Sequence, residues 1–261
     1  MRRRTPIATA FAALLVATSS AELPTPRLDT IFPLGARAGS EVEVNVAGAE
    51  LGDTSGLLFS HSGISATKVD KHFAVKVATD VPPGIYEVRV AANVGASNPR
   101  AFVVAELPGT AKPKPNTTIE TATEIAVDSV IDGSVTAASA DYFKFTAKQG
   151  QRLIVECAAA EIDSRLSPVF AVLDSARQEL EVSRHGRVLD FAAPADGAYF
   201  VRLNDLTFAG GAEYFYRLTI TTHPHVDFVF PSFVVAGAKS KVTLFGRNLP
   251  GGTAANVTAV D

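Results

Sequence analysis

The chain has one cysteine, one methionine and no tryptophan in 261 residues, and aromatics reach only 8%. A single cysteine excludes an intrachain disulfide, and with it a disulfide-stapled scaffold or a zinc site built on several thiolates. Long apolar runs are also missing. Beyond the N-terminus no segment approaches the roughly 20 apolar residues that a membrane-spanning helix needs, so no membrane span is expected. Excess positive charge is missing too: the formal charge is -3, whereas a nucleic-acid binder shows a basic patch or stripe. No nucleic-acid partner is expected. What is plentiful is glycine (19), proline (15) and apolar residues at 47%. That composition can bury ordinary cores, and it favours short strands joined by turns over long helices.

Residues 1–21 read as a secretory signal. Arg2, Arg3 and Arg4 supply a basic start, Ile7 to Ala17 is an apolar stretch of signal length, and Ser19-Ser20-Ala21 places small residues before a cleavage point after Ala21. Removing the three arginines from 24 basic residues leaves 21 against 27 acidic ones, a charge of -6. The expectation is an exported, mildly acidic protein located outside the cell, in the periplasm or on the cell surface. Cys157 then reads as a core residue. In the strand Gln151 to Cys157, Leu153, Val155 and Cys157 share one face by the two-residue period while Glu156 points away. No base or positive neighbour lies nearby in sequence to make the thiol a nucleophile.

An internal repeat organises the rest. Phe32-Pro33 through Leu51 aligns without a gap to Phe230-Pro231 through Leu249, 198 residues later, with seven of twenty positions identical. In each copy a proline opens an extended segment, a glycine (Gly39, Gly237) marks a turn, and an alternating strand follows through Val42, Val44 and Val46 or through Val242 and Leu244. Two modules of one type thus flank a different one. The first spans 22–107, with a turn at Asp80 to Gly84, a strand Ile85 to Val90 that puts Tyr86, Val88 and Val90 on one face, and a last strand Arg100 to Val104. A linker at 108–116 carries Pro108, Pro113 and Pro115 and should be extended and stiff. The central module, 117–222, alternates strands with turns at Lys148 to Gly150, Pro194 to Gly197 and Ala209 to Ala212, which suggests an antiparallel sandwich of about eight strands in jelly-roll style. The third module, 223–261, has 32 residues from its Phe-Pro where its counterpart uses about 75, so it is expected to be incomplete and the chain to be part of a longer protein.

Catalytic constellations are not legible. Gly52-Asp53-Thr54-Ser55-Gly56 has the wrong spacing for a nucleophile elbow, there is no His-Glu-x-x-His, and the five histidines are scattered. His223-Pro224-His225, with Asp227 two residues on, is the one suggestive metal pair. It lacks a nearby cysteine or carboxylate cluster and reads as interdomain linker. Tyr199, Tyr214 and Tyr216 could form a binding surface, but Tyr214 and Tyr216 share a face with Leu218 and Ile220, and Tyr199 with Val201 and Leu203. All three are therefore expected to pack, with Arg217 and Thr219 pointing the other way. Asn116-Thr117-Thr118 and Asn256-Val257-Thr258 match glycosylation sequons, but such triplets are common by chance.

These residues carry a resemblance. The outer modules resemble IPT/TIG-type immunoglobulin-like domains through the Phe-Pro…Ala-Gly…Val…Gly…Leu opening. In the first module, Pro83-Gly84-Ile85-Tyr86-Glu87-Val88-Arg89-Val90 and the run Ala96 to Val104 add to this. The central module resembles the bacterial pre-peptidase C-terminal (PPC) domain through Asp141-Tyr142-Phe143-Lys144-Phe145, Lys148 to Leu153, Ala195 to Leu203 and Tyr214 to Ile220. The serial order is similar to that of exported multidomain proteins of planctomycete-type bacteria. The resemblance implies an all-β chain of tandem β-sandwiches: immunoglobulin-like, then jelly-roll-like, then a truncated immunoglobulin-like module. It also implies an accessory, non-catalytic role. Some collagenase relatives of the PPC domain bind collagen, and some hold calcium through acidic residues in the linker and before the first aromatic strand. This chain departs from that pattern, with Lys112 and Lys114 in the linker and only Asp141 before Tyr142. Ca2+ takes six to eight oxygens, several of them charged, so calcium is disfavoured and no cofactor is expected. The resulting expectation is a binding or adhesion protein for an extracellular protein or polysaccharide, with no catalytic, metal or cofactor residues. The alternative is the accessory region of an exported peptidase or other hydrolase whose catalytic domain lies elsewhere.

Overall fold

The computed structural model describes residues 25–184 and 186–253. The signal-like segment and the sequon at Asn256 lie outside the described residues. The chain is all-β, built as β-sandwiches in tandem.

In the first sandwich the alternating runs form β1 (Arg27–Phe32), β2 (Gly35–Arg37), β3 (Glu41–Ala49), β4 (Thr54–Phe59), β5 (Ile64–Val69), β6 (His72–Val77), β7 (Gly84–Ala92), β8 (Gly95–Ala96) and β9 (Arg100–Ala105). One sheet runs in the order β1-β3-β6-β5. The other runs β2-β9-β7-β4, with β8 paired to β7. Leu28, Ile31, Val44 and Phe73 from the first sheet share a core with Leu57, Val88, Val90 and Phe102 from the second. The two-residue period holds along β7 for Val88 and Val90, which are fully buried. Tyr86 is half-buried, and its hydroxyl donates to Pro82 O at 2.8 Å.

The second sandwich contains β10 (Gly109–Ala111), β11 (Thr123–Glu124), β12 (Ser129–Ser134), β13 (Asp141–Ala147), β14 (Arg152–Ala158), β15 (Pro168–Leu173), β16 (Glu179–Ser183), β17 (Val188–Ala192), β18 (Gly197–Asp205) and β19 (Phe215–Thr221). Its sheets run β10-β12-β19-β14-β17 and β11-β13-β18-β15-β16. Most neighbours are antiparallel, but β10–β12 and β11–β13 are parallel, which corrects the wholly antiparallel expectation. The physical reason lies in the entry of the chain. The Pro-rich stretch and the segment after it lie along sheet edges as short strands, and each sheet gains one parallel edge. The core is aromatic: Phe145 stacks on Tyr199 at 5.8 Å, and Phe191 meets Tyr199 edge-on at 5.1 Å.

A hairpin follows, β20 (His225–Phe230) and β21 (Thr243–Arg247). It repeats the β1–β3 pair residue for residue. Leu28 pairs with Gly48 and Val226 with Gly246, and each register slips at the next step, before Thr30 and before Phe228. A Cβ on Gly48 would stand 1.9 Å from Arg27 O, and one on Gly246 2.0 Å from His225 O, so both glycines are required by close strand approach. Gly39 and Gly237 both have φ of 76°, in the region that favours glycine.

The two sandwiches are docked. Leu34, Ile162 and Phe215 form a small third core at their junction, with Phe32, Ala101, Val103 and Ala158 packed around it. The polar groups there are matched: Leu34 N–H donates to Asp132 Oδ2 at 3.0 Å, and Ala101 N–H to Asp163 Oδ2 at 2.9 Å.

Candidate functional site

The outer face of the sheet β10-β12-β19-β14-β17 is where the modules meet. Along β14 and β19 the residues that alternate with the core (Glu156, Ala158, Arg217, Thr219) point out of the second sandwich and under its neighbours. Arg217 was expected to face away from the core, and it does. However, it is buried, because the first sandwich covers it: its guanidinium makes two hydrogen bonds to Asp132, at 2.8 and 2.9 Å. Sequence alone could not signal this, since burial by a second module leaves no periodicity of its own.

Beside that pair opens a cleft of about 390 Å3 between the sandwiches. Pro83, Ile85 and Val103 form an apolar wall from the first sandwich; Ile85 is 52% exposed. The opposite side is polar. Arg187 lies 3.5 Å from Glu156 Oε1 and 3.2 Å from Glu161 Oε1, and Glu156 Oε2 lies 3.6 Å from His225 Nδ1. Thr219 and His223 complete the polar lining. Clefts at domain interfaces with an apolar wall and a few fixed polar groups are the usual setting for ligand sites. This one offers apolar contact on one side and charge-assisted hydrogen bonds on the other.

The residues singled out in the sequence are placed as follows. Cys157 is fully buried in the second core, and burial pushes its thiol far up, with the nearby Glu161 and Glu156 carboxylates adding to the effect. Tyr199 is buried and donates its hydroxyl to Ala195 O at 2.7 Å. Tyr214 packs at the margin of the core, with the Arg165 guanidinium 5.7 Å above its ring. Tyr216 is fully buried and donates to Asp141 Oδ2 at 2.5 Å; burial first, then the Asp141 carboxylate, push its phenol well above the ordinary value. His225 lies between Glu156 and Asp227, each at 3.6 Å, while His223 lines the cleft. Among the described residues no group of three or more His, Cys, Asp or Glu converges as metal ligands would.

The linker lysine has a clear partner. Lys112 Nζ donates to Asp141 Oδ2 at 2.6 Å and to Ser134 O at 2.8 Å. The one carboxylate before the aromatic strand therefore already faces an ammonium group and the Tyr216 hydroxyl. Both contacts fall on Oδ2, whereas Asp141 Oδ1 and Asn116 Oδ1 are buried without a hydrogen-bond partner; a calcium site needs several charged oxygens at one point, and here a single carboxylate is paired with an ammonium group. Asn116, the first sequon asparagine, is fully buried and donates to Tyr142 O at 2.6 Å, so its amide is closed to modification.

The fold and the docked faces define an all-β protein of tandem β-sandwiches. No protein-family model and no curated protein matches the chain. Solved structures similar to it include the pre-peptidase C-terminal domain of collagenase from Bacillus anthracis, at 13% identity over 42% of this chain and 99% of that one, with a TM-score of 0.32. The periplasmic g-type lysozyme inhibitor PliG of Aeromonas hydrophila is 18% identical over 38% of this chain and 96% of that one, with a TM-score of 0.29. SGBP-B of the Bacteroides ovatus mixed-linkage glucan utilization locus is 10% identical over 77% of each chain, with a TM-score of 0.27. At these scores none of the three assigns a role to this chain. Among the described residues no helix is long and apolar enough to cross a membrane.

Proposed function

We propose that this chain is a non-catalytic, exported binding protein, with a PPC-type sandwich between IPT/TIG-type modules, of the kind found in planctomycete-type bacteria. It engages an extracellular protein or polysaccharide in the cleft between its two sandwiches. One observation carries this reading: two separately cored sandwiches are fixed to each other by buried contacts, and that arrangement holds open a cleft with one apolar and one charged wall. A preformed cleft reduces the ordering cost of binding. The polar groups at its base, Glu156, Glu161 and Arg187, pair with one another and are suited to orienting a ligand by hydrogen bonds.

The test is a binding screen of the whole chain against collagen, a glycan array and cell-wall polymers. It is repeated with Ile85→Glu and Thr219→Arg, which alter the two walls separately. One ligand class should be retained by the parent chain and weakened about tenfold or more by each variant, a loss of about 1.4 kcal/mol or more. Silence across the screen, or binding by both variants as tight as that of the parent chain, overturns the reading. Cleavage of a screened polymer by this chain would overturn the non-catalytic reading.

A further inference from the structure

The outer face of the hairpin β20–β21 carries chemistry that its counterpart lacks. Across β1 and β3, Thr30 pairs with Ala47; the same cross-strand position 198 residues on holds Phe228 and Phe245. In the first sandwich this face is turned away from the core that Leu28, Ile31 and Val44 share, with Ala47 exposed and Thr30 half-buried. Packing within such a module therefore needs no ring there. The two rings stack on each other, with centroids 4.6 Å apart and planes at 12°. Stacking uses one face of each ring, and Phe228 still has 45% of its surface exposed.

These rings line a groove of about 780 Å3 between the hairpin and the start of β14. Its rim offers both donors and acceptors. Arg152, which opens β14, is held by Asp190 through Nε and Nη2, so Nη1 has no partner among the described residues. Asp227 keeps acceptor capacity, since His225 Nε2 and Arg247 Nε approach it only to 3.6 and 3.4 Å. Asn248 donates Nδ2 to Thr222 O at 2.6 Å, which fixes the residue against the second sandwich and leaves Oδ1 as an acceptor. Two guanidiniums (Arg152 and Arg247) face two carboxylates (Asp190 and Asp227), so this set of groups has no net charge.

We infer that this groove binds a neutral polysaccharide, at a site separate from the cleft between the two sandwiches. The C–H face of a pyranose ring is apolar and flat and lies against aromatic carbon. Its hydroxyls each donate and accept, and so match a rim that presents both kinds of group. A rim without net charge gives no electrostatic preference to an acidic or a basic partner. The site does not rest on the cleft: its walls are the hairpin and β14, whereas Pro83, Ile85 and Val103 of the cleft belong to the first sandwich.

The test is titration of the whole chain with cellohexaose, laminarihexaose, mannohexaose and maltohexaose, and with polylysine and polyglutamate as charged probes. The double variant Phe228→Thr/Phe245→Ala installs the residues of the first copy, so its melting temperature should stay within about 2 °C of the parent's. It should bind the hexasaccharide that the parent retains about tenfold more weakly, or worse. On the parent chain, saturating the aromatic protons should transfer magnetisation to the C–H protons of that sugar, a readout that does not depend on how a variant folds. The transfer should be lost in the double variant and persist in Ile85→Glu. The inference is overturned if no hexasaccharide binds, if the double variant binds as tightly as the parent, or if the charged polymers bind through the Phe pair in place of the sugars. Transfer lost in Ile85→Glu and kept in the double variant would put the sugar in the cleft, which overturns this site and leaves the proposed function standing.

Discussion

Asp132 and Arg217 meet in a two-pronged contact across β12 and β19, and the same Asp132 oxygen that receives Arg217 Nη2 also accepts the amide of Leu34 from the neighbouring sandwich. One carboxylate therefore serves an ion pair within the second sandwich and the junction between two sandwiches. Arg217 reaches further, with Nη1 3.4 Å from Val103 O.

The first prediction concerns that carboxylate. Asp132→Ala leaves a buried guanidinium without its counter-charge, and breaking a buried pair in this way costs about 3–5 kcal/mol. Because the junction loses an acceptor at the same time, the variant should also undock. Small-angle scattering should show a larger radius of gyration, and limited proteolysis should cut near Leu107. A variant that melts earlier but scatters as the parent does would show that the apolar cluster around Leu34 holds the junction alone.

The second concerns alkaline pH. Tyr216 keeps its proton in the folded state to a pH well above the ordinary value of 10.0. The unfolded chain ionises first, so this contribution to stability is full below pH 10 and is lost as pH rises beyond it. The tyrosinate absorbance of Tyr216 should appear only together with unfolding. Tyr216→Phe should remove that coupling and cost about 1.5–3 kcal/mol at neutral pH for the hydrogen bond to a charged acceptor. Ionisation of all five tyrosines in the native state would refute the assignment.

The third concerns acid. Burial acts to raise the Asp205 carboxyl, but the Ser167 amide, the Thr207 hydroxyl and amide and the Ala209 amide outweigh it and hold the group below its ordinary 3.8. Asp128 is held low in the same way by Thr222 and Thr221, against its own burial. A depressed carboxyl stabilises the fold above its unfolded value and loses that contribution as pH falls through the folded value. Urea midpoints should therefore fall steeply below pH 4, and Asp205→Asn should be less stable at neutral pH with a shallower acid slope. An identical slope would mean that other carboxyls govern the acid transition.

The fourth concerns the single thiol. Cys157 is buried, and its ionisation is strongly disfavoured. A thiol reagent at neutral pH should leave the folded protein unlabelled and label it stoichiometrically in denaturant. Prompt labelling without denaturant would place the residue outside the core.

What was legible in the sequence was the part that local periodicity encodes. The face shared by Leu153, Val155 and Cys157, and that of Tyr216, Leu218 and Ile220, were readable because each strand carries its own alternation. The repeat of Phe32 to Leu51 at Phe230 to Leu249 was readable because the same turn and close-approach constraints recur at Gly39 and Gly48 and at Gly237 and Gly246. The junction was not readable. Asp132 lies in a strand beside Gly133, Arg217 looks like a solvent-facing residue, and only the arrival of Leu34 from 98 residues away buries them together. The cleft has the same origin: Ile85 and Arg187 belong to different sandwiches and have no sequence relationship. The parallel edges were missed because β10 and β11 are three and two residues long, too short to show a period.

The short strand β10 begins after only three residues, Glu106 to Pro108, beyond the end of β9. It is laddered to β12 through three register pairs. Tension along the chain therefore meets almost no slack between the sandwiches. The distance between them can grow only by stripping β10 from its sheet and parting Leu34 from Asp132 in the same movement. Separating the two sandwiches along the chain therefore requires a strand to leave its sheet, not a tether to lengthen.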